Sequence, residues 1–83
     1  MKDLEIVIDR RCCSEKKVSV DDFQEKIQNQ LSVYKIKFAY DNSPVDAFCE
    51  YGYTMIGFVN ASEEEQSNVT NNINKIFNEL IKI

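Results

Sequence analysis

The chain contains no histidine, a single proline and only two glycines among its 83 residues. The absence of histidine removes the side chain that most often acts as a general base near neutral pH, and with it Ser-His and Cys-His nucleophiles. The sparse glycine and proline leave no low-complexity linker and no glycine-rich phosphate-binding motif. We therefore expect one domain, spanning residues 1–83, that is not an enzyme and holds no cofactor.

Long apolar runs are also missing. Asp3 and Glu5 interrupt the N-terminal segment where a secretory signal would be continuously apolar, and no run approaches the roughly 20 residues that span a bilayer. This pattern predicts a cytoplasmic protein without a membrane segment, whose three cysteines are reduced. The heavy use of Ile, Asn and Lys is typical of an AT-rich coding genome, such as that of a low-GC bacterium or its phage.

The apolar pattern alternates between the periods of strands and helices. Period-two alternation predicts strands over residues 3–9, from Tyr34 to the turn DNSP, and over 53–60, whereas residues 45–51 fit either a strand or an irregular segment. Ser19 can cap a helix over residues 20–31, because apolar residues follow it at helical spacing. Ser62 and Glu65 form a capping box that begins a final helix.

The resulting order, β-α-β-β-α, predicts an α+β fold. We expect an antiparallel or mixed sheet of three to four strands with two helices on one face. In element order alone, this resembles a truncated ferredoxin-like sandwich that lacks its last strand. A right-handed crossover makes the first two strands parallel, and the third pairs antiparallel between or beside them. The missing strand would leave an edge of the first strand uncovered, which permits a homodimer.

The most distinctive stretch is RRCCSEKK, residues 10–17, whose net charge of +3 contrasts with the −4 of the whole chain. Its four cations are Arg10, Arg11, Lys16 and Lys17. On a loop, such side chains can hold the phosphate or carboxylate of a small anion or a nucleic acid. The acidic composition, with aromatics mostly in core-facing registers, argues against nucleic acid. An anion-binding loop is therefore one alternative for the function.

Two adjacent cysteines in this stretch permit other chemistry. Cys12 and Cys13, with the distant Cys49, lack the number and spacing of ligands that a closed zinc site needs, so we predict no metal. Neighbouring cations can lower the pKa of a thiol, which leaves a thiol-based redox or metal sensor as a second alternative. The simpler interpretation is that small side chains end a strand, with one of them facing the core.

Carboxylates are concentrated in the first turns of the two predicted helices. They are Asp21, Asp22, Glu25, Glu63, Glu64 and Glu65. Capping and the helix dipole explain these positions, so we assign none of them a catalytic role. On an acidic chain they also steer association toward a basic surface. We therefore predict a small interaction protein that binds a protein partner stoichiometrically through these residues, as an inhibitor, an immunity-type or phage-type antagonist, or an accessory subunit.

Overall fold

The computed structural model of the chain describes residues 2–41 and 51–81. Its elements are β1 (Lys2–Asp9), α1 (Arg10–Glu15), α2 (Val20–Gln30), β2 (Tyr34–Asp41), β3 (Tyr53–Phe58) and α3 (Glu63–Leu80). The predicted α+β class is confirmed. The predicted element order is incomplete, because α1 stands between β1 and α2 in the stretch that was expected to be a loop. Of the segment 45–51, whose sequence fits either a strand or an irregular segment, residues 45–50 lie outside the described residues.

β1 lies in the middle of a three-stranded mixed sheet with the order β2-β1-β3. It pairs in parallel with β2 along its whole length, and antiparallel with β3 with a register shift between Val7 and Ile8. The third strand therefore lies beside the parallel pair, not between its members. The prediction of an uncovered edge on β1 is wrong, because β1 is paired on both sides.

One hydrophobic cluster joins the sheet to the helices. The side chains of Leu4, Ile6 and Ile8 on β1 are buried. α2 and α3 contribute Phe23, Ile27, Val69, Ile73, Ile76 and Phe77 to the same cluster. Phe23 and Phe77 meet edge to face with their ring centroids 5.2 Å apart, an arrangement that aromatic pairs prefer. The odd-numbered side chains of β1 stay half-buried or exposed, so the two faces of the sheet differ in environment.

Serine caps begin both long helices as the sequence predicted. Ser19 Oγ accepts a hydrogen bond from the backbone N–H of Asp22 at 3.3 Å, and Ser62 Oγ accepts one from that of Glu65 at 3.1 Å. Each bond satisfies a backbone donor that the helix itself leaves without a partner. The caps therefore place the acidic first turns of α2 and α3.

Candidate functional site

The stretch RRCCSEKK forms α1 and the turn that follows it. Asp9 caps this helix, because its Oδ1 accepts a hydrogen bond from the backbone N–H of Cys12 at 3.0 Å. Lys17 then adopts a φ of 59°, a left-handed conformation that ends the turn. The sequence signal for α1 was the spacing of an aspartate three residues before the N–H that it caps. Asp9 also ends the strand, and this second role obscures the cap in the sequence.

Two of the four cations in this stretch are engaged within the chain. The guanidinium carbon of Arg10 lies 4.2 Å from the centroid of the Tyr40 ring, within the range of a cation–π interaction. Arg11 Nε donates to Glu15 Oε1 at 3.3 Å, one turn further along the helix. Lys16 and Lys17 are exposed after the end of the helix. The stretch therefore has fewer cations available to bind an external anion than its sequence suggests.

The two adjacent cysteines are both buried in the core, although only one was expected to face it. The Sγ of Cys13 donates to the carbonyl oxygen of Gly52 at 3.8 Å. Burial, and secondly the charge of Asp9, raise the pKa of the Cys13 thiol to about 11. Cys13 is therefore protonated near neutral pH, and a thiol is a much poorer nucleophile than a thiolate.

Cys12 is disulfide-bonded. This corrects the expectation that all three cysteines are reduced. Over residues 2–41 and 51–81, no group of three or more Cys, Asp or Glu is placed to hold a metal ion. In the same ranges, none of the helices has the length and apolarity needed to cross a membrane.

The six predicted partner-binding carboxylates fall into two groups that lie far apart. Leu80, at the end of α3, lines a shallow cavity together with Asp22 and Glu25 on α2. Leu31, which follows α2, lines another cavity together with Glu65 near the start of α3. α2 and α3 therefore run antiparallel, with their acidic first turns at opposite ends. The six residues therefore form two separate acidic groups and not one continuous cluster.

Glu65 differs from the other five carboxylates because it is bonded within the chain. Its Oε1 accepts from Lys2 Nζ at 2.6 Å, and its Oε2 accepts from the hydroxyl of Tyr34 at 2.6 Å. The hydrogen bonds from Lys2 and then Tyr34 hold the pKa of Glu65 below its usual range, and the bond to Glu65 raises the pKa of Tyr34. Glu65 thus joins the first turn of α3 to the starts of β1 and β2.

The remaining five carboxylates are exposed to solvent: Asp21, Asp22, Glu25, Glu63 and Glu64. Within the part of the chain that the structure describes, none of them forms a salt bridge. Three of the five belong to α2 and two to α3, so the larger group of available charge lies on α2.

A second charged region, on the sheet, was not predicted as a site. Lys35 and Lys37 of β2 lie directly beside Asp3 and Glu5 of β1 in the parallel register. Together with Gly57 of β3, they line an open groove of about 670 Å³. In the sequence, the alternation of charge along both strands indicates this region once the two strands are expected to be parallel.

Comparisons of the chain with protein-family models, with curated proteins and with solved structures find no match. A function for this protein must therefore follow from the chemistry of its own residues. Exposed and unpaired charge, on α2 and on the sheet, is the chemistry that the described surface offers.

Proposed function

We propose that this protein acts by stoichiometric binding to a protein partner with a basic surface, as an inhibitor, an antagonist or an accessory subunit, and not as an enzyme. The observation that carries the proposal is the acidic group of α2, Asp21, Asp22 and Glu25, which is exposed and has no salt bridge to a described residue. Residues three and four apart on a helix are neighbours on its surface, so Glu25 lies near both aspartates.

Repulsion between these carboxylates gives a cationic partner a specific advantage. Like charges four residues apart destabilise a helix by about 0.2–0.5 kcal/mol, and a cation bound between them would remove that penalty. Beside the carboxylates, Leu80 lines the same shallow cavity as Asp22 and Glu25, which Lys26 and Asn29 also line. The apolar stem of a partner's lysine or arginine can pack there while its charged end reaches the carboxylates. The site therefore fits a long basic side chain better than a bare metal cation.

The start of α3 offers less to the same partner. Glu65 is occupied by Lys2 and Tyr34, which leaves only Glu63 and Glu64. The basic stretch is also weaker as an anion site, since Arg10 and Arg11 are engaged within the chain. We therefore assign the partner to the acidic group of α2.

Affinity capture with charge variants tests this assignment. The tagged protein is used as bait in a lysate of its native host. Captured proteins are quantified by mass spectrometry, and captured nucleic acids by the ultraviolet absorbance that nuclease treatment removes. We expect a basic protein to be enriched with wild type and at least tenfold less with D21N/D22N/E25Q. The matched control is E63Q/E64Q, which removes exposed carboxylates at the other end of the helix pair and should retain the partner.

A second control decides between the acidic and the basic segments. The variant R10Q/R11Q/K16Q/K17Q should retain the same partner, and titration calorimetry with the purified partner should give one site per chain. Loss of the partner from this variant, with retention by D21N/D22N/E25Q, would show that the basic segment is the binding surface. Enrichment of nucleic acid in place of a protein would favour the anion-binding alternative.

A further inference from the structure

The exposed face of the sheet carries an ordered pattern of charge. Parallel pairing places Asp3 beside Lys35, Glu5 beside Lys37 and Val7 beside Ala39. Side chains of directly paired residues project to the same face of a sheet. We call the set Asp3, Glu5, Val7, Lys35, Lys37 and Ala39 the charged face. It consists of an acidic column on β1, a basic column on β2 and an apolar row at one end.

The charged face is open to solvent. Asp3, Lys35 and Lys37 are exposed, and Glu5 is half-buried. Beside Glu5 on the third strand lies Gly57, which has no side chain to cover the acidic column. No salt bridge joins the two columns in the described structure. All four charges are therefore available to a second layer placed above the sheet.

We propose that the charged face binds the same face of a second copy of this chain. A two-fold axis that runs parallel to the strands, above the line between β1 and β2, places the acidic column of each copy over the basic column of the other. This rotation leaves each directly paired set of residues at the same position along the strand direction. Lys35 therefore faces Asp3 of the second copy, and Lys37 faces its Glu5. Such an interface is closed and self-complementary, and aligned sheets stack in this manner about 10 Å apart.

The charge pattern selects this orientation over the other in-plane two-fold axis. An axis perpendicular to the strands would place β1 over β1 and β2 over β2, so that like charges would face each other. In the selected orientation, the apolar row also meets itself, with Val7 of one copy over Ala39 of the other. Charge and apolar complementarity are therefore satisfied by one arrangement.

The contact area indicates a weak dimer. From strand spacing and rise, the face measures about 10 by 13 Å, well below the roughly 800 Å² per partner of a standard interface. Association should weaken with salt, because the pairs remain near solvent. The acidic group of α2 is not part of this face. Self-association is therefore a property beyond the proposed binding of a basic partner.

Charge reversal provides a test that a general loss of stability cannot imitate. K35E/K37E makes the face uniformly acidic, and D3K/E5K makes it uniformly basic. By sedimentation equilibrium at about 20 mM salt, where surface charges are weakly screened, we expect wild type to show a monomer–dimer equilibrium. Each double variant alone should associate at least tenfold more weakly. Their equimolar mixture should form a heterodimer at least as tight as the wild-type dimer.

Three results would overturn the proposal. They are a wild type that remains monomeric up to millimolar concentration at low salt, variants that dimerise like wild type, and folded variants whose mixture does not associate. Circular dichroism establishes that each variant is folded. If a reversal prevents folding, the neutral variants K35Q/K37Q and D3N/E5Q replace it, and unchanged dimerisation by these would equally contradict the proposal. Capture of the basic partner is measured separately, so its failure is distinguishable from failure of the dimer.

Discussion

Gly52 holds a backbone conformation and a packing position that only glycine fits. Its φ is 78°, and its α-carbon lies against the two aromatic rings at the centre of the core. A β-carbon there would lie 2.7 Å from Cδ1 of Phe77, closer still to Cε1 of that ring, and 3.1 Å from Cε2 of Phe23. The Gly52 carbonyl also accepts the N–H of Asp9 at 2.9 Å, which limits backbone movement away from the rings. Gly52→Ala should therefore be strongly destabilising.

Two free-energy costs set the size of this destabilisation. A side chain in the left-handed region costs about 1–2 kcal/mol, and forcing extra volume into a packed core costs about 1–3 kcal/mol. Their sum, about 2–5 kcal/mol, is a large part of the roughly 4–12 kcal/mol expected for a chain of this length. At about 4–8 °C per kcal/mol for a domain of this size, the melting temperature should fall by about 8 °C or more.

Urea denaturation followed by far-UV circular dichroism measures the change, with Gly57→Ala as the matched control. At Gly57, a β-carbon would make only an ordinary contact, 3.6 Å from the Glu5 β-carbon, and the residue is not among those with positive φ. Alanine at this strand position should change the free energy of unfolding by less than about 1 kcal/mol, in the stabilising direction if the backbone tolerates it. Equal losses for the two variants would refute the reasoning.

The other predictions concern titration and sulfur chemistry. Because the folded-state pKa of Glu65 is lowered, its contribution to stability is present above its unfolded pKa and is lost as pH falls through the folded value. Glu65→Gln should therefore lose less stability between pH 7 and pH 3 than wild type does in urea titrations, and an identical pH dependence would contradict the role of the bonds from Lys2 and Tyr34. Cys13 is buried and its pKa is about 11, so its thiol should resist iodoacetamide at pH 8 in the folded protein and react after denaturation. Peptide mass spectrometry detects the labelled cysteine. Rapid labelling of the native protein would show that the thiol is accessible. Protein denatured without reductant should titrate fewer than three thiols per chain, whereas a count of three would show that Cys12 is reduced in solution.

The helices and strands were predictable where a buried side chain recurs at a fixed period. Leu4, Ile6 and Ile8 alternate and are buried, and Ser19 and Ser62 cap their helices as their spacing indicated. α1 escaped prediction because a helix of six residues is too short to show an apolar period. The sequence left open whether the third strand lies between or beside the parallel pair, because alternation reveals which face a residue occupies and not which strand lies next to it.

For the candidate site, the sequence predicted which residues carry charge but not how they are paired in the fold. The exposed carboxylates of α2 and α3 were identified from their positions in the helices. Glu65 is bonded within the chain by Lys2 and Tyr34. Lys2 lies 63 residues away in the sequence, and Tyr34 begins another strand. Similarly, the charged face exists because two distant strands align in one register. Local patterns do not contain such long-range pairings.

The central position of β1 has a consequence for folding during synthesis. β1 precedes both of its partners in the chain, and its pairing with β3 joins Leu4 to Phe58. The strand therefore leaves the ribosome with both edges unpaired, and neither is covered until a long stretch of further chain has followed. Contacts between residues so distant in sequence slow folding, and unpaired strand edges promote aggregation in the meantime. A chain stalled before β3 should accordingly be a better substrate for chaperones than one stalled after it.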